Sequence, residues 1–254
     1  MIDYEQRGHV AVLTINRPEA RNAVNGDVAS GLEAAIDRFE EDADTWVAVL
    51  TGAGTTFSAG ADLKAIASGQ AGGLQTKRGG FAGFVQRDRE KPVIAAVDGP
   101  ALAGGCEIAL ACDLIVASRN AAFGLPEVQR SLAAAAGGLF RLPRVLPPRI
   151  ALELIMTGDR IDAERAHGYG MVNRLVDAGE AVTAAVELAE QICKAAPLAV
   201  RESRKVALAS LKLSNEDELW GMSAAAFANL AQTEDFAEGP RAFIEKRAPE
   251  WKAR

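Results

Sequence analysis

Two glutamates, Glu107 and Glu127, stand in apolar company, one after the run Gly104-Gly105-Cys106 and the other closing Phe-Gly-Leu-Pro-Glu. Neither has a charged residue within three positions on its N-terminal side. Each is therefore expected to sit among apolar groups, where burial lifts a carboxyl pKa towards the range useful for proton transfer. Taken singly, a glutamate in a first helical turn is most often a solvated residue that complements the helix dipole. A pair of such carboxyls could divide the roles of general acid and general base. Backbone donors accompany them. The apolar residues from Cys106 to Ala111 repeat at helical spacing, so a helix is predicted to start at Gly104, its first N–H groups free to receive negative charge. Glu107 lies one turn further on, on the same face. A second set of small residues, Ala59 to Ala61, precedes a predicted helix from Asp62 to Ala67, and a ligand can approach such a backbone closely.

The elements that must position these groups read as strand, helix and strand. His9–Ile15 alternates as a strand with a shorter partner near Ile2 to Glu5, and Asp27 is the expected N-cap of a helix over Val28–Phe39. Val47–Thr51 and Val93–Val97 are apolar runs of the kind buried on both faces, which points to right-handed crossovers and a parallel sheet. The segment 68–80, SGQAGGLQTKRGG, is Gly-rich and is expected to be either a mobile flap or a plain disordered connection. Helices are predicted over Phe81–Arg89, over Ser131–Leu142 up to Pro143, over Pro147–Met156 and over Ala163–His167, before a strand at Met171–Val176. From 180 onwards the chain reads as almost wholly helical. Two parts emerge without a polar linker: an α/β core over 1–195 and a helical section over 196–254.

Several chemistries are excluded. Gly52 and Gly54 begin a dinucleotide-like pattern, but Phe57 stands where the third glycine belongs, and no acidic residue ends a strand about twenty residues on. Ser58 lacks the first glycine of a nucleophile elbow, and neither His9 nor His167 has triad-like surroundings. The net charge of −6 and the absence of a basic tract oppose nucleic-acid binding. No basic leader or membrane-length apolar run is present, and three cysteines without a CxxC pair suit a reducing compartment, so a cytoplasmic, membrane-free protein without metal or cofactor is expected.

Six segments, in order and at matching intervals, carry a resemblance: RNAVN (21–25), FSAGADLK (57–64), ALAGGCEIALACD (101–113), FGLPE (123–127), TGDRIDAERAHGYGMVN (157–173) and FIEKRAPEWK (243–252). Over essentially its whole length the chain resembles the enoyl-CoA hydratase/isomerase, or crotonase, family. The resemblance implies the crotonase (ClpP-like) α/β fold, a spiral of ββα units whose C-terminal helices build a homotrimer, often paired into a hexamer. It implies an oxyanion hole made by the backbone N–H groups of Ala61 and Gly104. Ala61, Asp62, Leu63 and Lys64 fall on the segment that binds the acyl-CoA thioester, with Ala23 and Ala59 at positions whose backbone meets adenine and pantetheine. Phe243 and Lys246 match residues that approach the CoA nucleotide, commonly from a neighbouring subunit. Coenzyme A is then part of the substrate, not a resident cofactor.

Both carboxylates are present, as in family members that hydrate enoyl-CoA; many isomerases and dehalogenases keep one or neither. The resemblance thus implies a hydratase that adds water to trans-2-enoyl-CoA. The segment SLAAAAGGLFRL (131–142) departs from the Gly-Ile-Pro-Gly turn usual in family hydratases, with Ala134 and Ala135 at its Pro-Gly positions, and has Leu139 and Phe140 in place of the Thr-Gln of the following Thr-Gln-Arg; with FGLPE it resembles the carnitinyl-CoA dehydratase branch. An enoyl-CoA isomerase and a catalytically silent acyl-CoA-binding member are the alternatives.

Overall fold

The computed structural model describes residues 1–254. A hairpin of β1 (Ile2–Arg7) and β2 (Val10–Ile15) turns at Gly8, and α1 (Gly26–Glu41) returns the chain to β3 (Val47–Gly52). Asn25, not Asp27, caps α1 by accepting from Val28 N–H at 3.0 Å. Then follow α2 (Leu63–Ala67), a two-strand hairpin of β4 (Gln75–Thr76) and β5 (Gly80–Phe81), β6 (Val93–Val97), β7 (Pro100–Leu102), α3 (Gly104–Ala111), β8 (Leu114–Ser118) and β9 (Ala122–Gly124). The chain continues through α4 (Gly138–Val145), α5 (Pro148–Thr157), β10 (Arg160–Asp162), α6 (Ala163–Gly168), β11 (Arg174–Val176) and α7 (Ala181–Cys193). It ends with α8 (Pro197–Ser210), α9 (Glu216–Leu230) and α10 (Glu234–Glu245).

The large sheet runs β1-β2-β3-β6-β8-β11, parallel except for the first pair. Side-chain alternation splits its strands between two cores. Leu13, Leu50, Val93 and Ala95 join the larger cluster with α1 and α3, whereas Val12, Val49, Ile94 and Val116 pack on the alanine face of α7.

A repeat positions the site. A strand of the large sheet is followed by a short strand of a second sheet and then by a helix: β6, β7, α3. β8 and β9 repeat the step and lead into a 3-10 turn, Pro126–Arg130. After β3 the same step is reduced to a single bridge between Ser58 and Ala101 before α2 begins. Because Ser58, β7 and β9 lie side by side, the starts of α2, α3 and the 3-10 turn are brought to one edge.

Three further expectations are corrected. Phe81–Arg89 is not helical, because Ala82 (φ +58) and Gly83 (φ +65) are consecutive left-handed residues that break any helix there. The helix expected over 131–142 begins only at Gly138, after left-handed Ser131 and Gly137, and runs past Pro143 to Val145. The segment 68–80 is ordered. Glu33 of α1 accepts from Gly79 N–H at 3.1 Å and from the Thr76 hydroxyl, Arg78 pairs with Asp37, and Leu74 is buried. The helices from 180 on are present as expected, and Arg204 of α8 ties them to the core through Asp113 at 2.8 Å.

Candidate active site

The backbone of Ala61 is presented by its neighbours. Val24 donates to Gly60 O at 2.7 Å and accepts from Asp62 N–H at 2.9 Å, the pattern of a parallel bridge opposite Ala61. Ala61 therefore turns its own N–H away from Val24, and that N–H has no acceptor in the protein. The loop beneath is held by buried polar groups. Ser58 Oγ donates to Asn22 O at 2.8 Å and accepts from Gly60 N–H at 3.2 Å, while Asn22 Nδ2 donates to Ala53 O and Thr56 O. Ser58 is thus a loop anchor with no exposure, in keeping with its exclusion as a nucleophile.

Gly104 is presented by strain and by close packing. Ala103, the N-cap of α3, takes φ +51, ψ −128, and no side chain caps the helix, so Gly104 N–H is also without a protein acceptor. A Cβ on Gly60 (φ +85) would fall 2.6 Å from Gly104 N, and one on Gly104 would fall 2.4 Å from the Phe81 ring. Only glycines allow these two backbones and the Phe81 ring to meet.

Glu107 is almost fully buried, 3% exposed, and its Oε1 accepts from Gly138 N–H at 2.9 Å. Burial pushes its carboxyl up to about 7; the Gly138 amide opposes that shift and the charge of Glu127 adds to it. Glu127 projects from the 3-10 turn, half-buried, with Oε2 shielded from solvent and without a partner. Its carboxyl is also pushed up by burial, against the opposing pull of its own backbone N–H and of Arg130.

One cleft of about 1330 Å³ contains both carboxyls, Ala61 and Gly104. It also takes in Ala23, Ala59, Asp62, Leu63 and Lys64, so nine of the eleven sequence-predicted site residues share it. Asp62 is engaged locally. It caps α2 through Lys64 N–H and Ala65 N–H and pairs with Arg17 at 2.6 Å, which holds its carboxyl below the usual range. Phe243 and Lys246 stand apart at the end of α10, Phe243 86% exposed, and neither lines the cleft of its own chain. Sequence reasoning missed Phe81, Gln86, Arg130 and Arg160 in the lining, and Arg17, Gly138 and Arg141 as framework. Arg21, Lys64, Arg130 and Arg160 reach the cleft without a carboxylate partner, although Glu19 and Asp159 also line it. His9, stacked on Trp46, and His167, bonded to Val172 O, lie elsewhere.

Comparison with known proteins accords with this arrangement. The model of the enoyl-CoA hydratase/isomerase family matches residues 5–254. A carnitinyl-CoA dehydratase of Proteus mirabilis is 44% identical over 253 residues, spanning 98% of this chain and 97% of that protein. Among solved structures, an enoyl-CoA hydratase from Mycobacterium tuberculosis superposes with a TM-score of 0.95 at 45% identity, covering 100% of this chain and 99% of the other. A carnitinyl-CoA hydratase from Mycobacterium avium gives 0.78 at 46%, covering 100% and 98%. The chain belongs to the enoyl-CoA hydratase/isomerase family and has the crotonase fold. The alternation of large-sheet strand, small-sheet strand and helix described above is its ββα unit.

Proposed function

We propose that this protein is an enoyl-CoA hydratase, adding water across the C2–C3 double bond of a trans-2-enoyl-CoA to give a 3-hydroxyacyl-CoA. The observation that carries the reading is the meeting of two carboxyls with raised pKa and two unpaired backbone N–H groups in one cleft. The thioester oxygen accepts from Ala61 and Gly104, whose donors match the charge that develops there as the enolate forms. One carboxylate takes a proton from water as its oxygen bonds to C3, and the other carboxyl delivers a proton to C2, so that the elements of one water are added. Two neighbouring carboxyls resist ionising together, which separates acid from base. CoA phosphates suit the unpaired cations Arg21 and Lys64.

The test follows the loss of thioester-conjugation absorbance with crotonyl-CoA. A positioned acid or base contributes roughly 10²- to 10⁴-fold, so Glu107→Gln and Glu127→Gln should each lower kcat by that order while CoA-ester binding persists. Wild-type turnover in both variants would remove the reading, and a shifted double bond without 3-hydroxyacyl product would make the protein an isomerase. Binding without turnover in the native protein would make it a silent acyl-CoA binder.

The carnitinyl-CoA dehydratase relatives favour a second reading, a substrate with a quaternary ammonium. The cleft offers little to receive one. Phe81 is its only aromatic residue, and its carboxylates outside the Glu107–Glu127 pair each neighbour a cation: Glu19 and Asp62 face Arg17, and Asp159 adjoins Arg160. A neutral acyl group is therefore the preferred substrate, to be checked with a panel of enoyl-CoA esters of varied length and charge.

Assembly through the section 196–254 into a homotrimer is supported by α9 and α10, which leave Trp220, Phe227, Phe243 and Ile244 mostly exposed. Three cysteines, none of them in a disulfide, support a reducing, cytoplasmic setting. No helix is long and apolar enough to cross a membrane.

A further inference from the structure

Arg141 has no part in the chemistry above, yet it joins two walls of the cleft. Its guanidinium is half-buried and without a carboxylate partner; Nη2 donates to Val85 O at 2.6 Å and Nη1 to Ala136 O at 3.2 Å. Val85 belongs to the segment that carries Phe81 and Gln86, both lining residues. Ala136 opens the turn that brings Gly138 N–H to Glu107 Oε1. Gly137, at φ +114, makes room for the clamp, since a Cβ there would fall 2.1 Å from Arg141 Nη1. A planar, always-charged fork can span two carbonyls; an ammonium offers no such geometry.

We propose that Arg141 is a positioning residue for the step that uses Glu107, locking the 136–138 turn against the Val85 segment so that the Gly138 amide stays on the carboxyl. The inference rests on the hydratase reading for its kinetic consequence and on the structure alone for its effect on Glu107. Glu107 is faced by Glu127 from the 3-10 turn, by Arg141 from α4 and, beside it on α3, by the Cys106 thiol. Around Arg141 stand Arg89 from the segment before β6, Arg144 on α4, and Cys112 after α3. The Gly138 amide and the Arg141 charge both hold the Glu107 carboxyl down against burial. Releasing the clamp removes both, so the carboxyl rises further.

The test uses full-length Arg141→Gln and Arg141→Lys. In Arg141→Gln, kcat for crotonyl-CoA falls roughly 10²-fold, the size of effect that a small misplacement of a catalytic group produces, while KM changes little. The limb of the pH–rate profile that reports Glu107 moves to higher pH, whichever of the acid and base roles Glu107 takes. Arg141→Lys keeps the charge without the two-carbonyl span, so it restores part of the pH limb and little of kcat. Isotope-edited NMR titration of the Glu107 side chain in the ligand-free variants gives the same upward shift without turnover. A folded Arg141→Gln with wild-type kcat and an unmoved Glu107 titration overturns the proposal, as does a loss confined to thermal stability. An inactive wild-type protein whose Glu107 still shifts in Arg141→Gln would sink the hydratase reading and leave the clamp standing.

Discussion

Glu107 sets proton chemistry against stability. Its folded-state pKa of about 7 lies above the ordinary carboxylate value because burial disfavours the charged form. Below the unfolded pKa, about 4.3, the group is neutral in both states and carries no penalty. As pH rises, the unfolded chain ionises first, so stability falls through this window and levels off above the folded value, the deficit reaching about 4 kcal/mol. Glu107→Gln removes the ionisation while its side-chain oxygen can still accept from Gly138 N–H. The variant should therefore melt several degrees above wild type at pH 8, at roughly 2–4 °C per kcal/mol for a chain of this size, and approach it as the pH falls below about 4. Calorimetry across that range decides the matter; a variant less stable than wild type at pH 8 would mean that Glu107 is not held in an apolar setting. This carboxyl was legible in the sequence because its signals are local: glycines one turn ahead and apolar residues after. The Arg17–Asp62 pair and the Arg141–Val85 bond were not, because their partners are 45 and 56 residues apart and only the topology brings them together.

At the level of elements, the site depends on two backbones meeting without side chains between them. Gly60→Ala would place a methyl 2.6 Å from Gly104 N on a residue at φ +85, so the two donors must part or the loop must unwind. The left-handed conformation itself costs an alanine about 1–2 kcal/mol. If Ala61 and Gly104 form the proposed oxyanion hole, losing one donor costs about 3–4 kcal/mol of transition-state stabilisation, so kcat should fall by a factor of roughly 10² to 10³ with a modest drop in melting temperature. Near-native kcat in Gly60→Ala would show that Ala61 and Gly104 do not act together. Gly104→Ala should behave similarly through its clash with Phe81, and adding Phe81→Leu should recover part of the loss if that ring is the obstruction. The helix starts at Asp62 and Gly104 could be read from small residues followed by periodic apolar ones. The hairpin of β4 and β5 could not. Its composition looks structureless, and its order comes from Glu33 and Asp37 on a helix far earlier in the chain. Residues 81–89 misled for a related reason: their apolar spacing fits a helix, while Ala82 and Gly83 take the left-handed backbone and Gly83 packs so closely on α1 that a Cβ there would fall 2.3 Å from Ala29 O.

At the scale of the whole molecule, α9 and α10 present aromatic faces that a lone chain leaves in water, and Phe243 and Lys246 lie there rather than in the cleft. If the assembly carries α10 to a neighbour's cleft, Phe243 belongs to the interface and Lys246 to the CoA phosphates. These two roles separate experimentally. Phe243→Asp buries a charge without a partner at the contact, so sedimentation should shift from three times 26.7 kDa towards the monomer, with KM for CoA esters rising as the nucleotide loses its second wall. Lys246→Ala should leave the sedimentation unchanged and kcat intact while KM rises, since a phosphate contact distant from the double bond contributes equally to substrate and transition state. The KM of wild type should climb with ionic strength more steeply than that of Lys246→Ala, because one screened charge pair has been taken away. Equal salt dependence in the two proteins would place the nucleotide elsewhere, on Arg21 and Lys64 of the same chain alone.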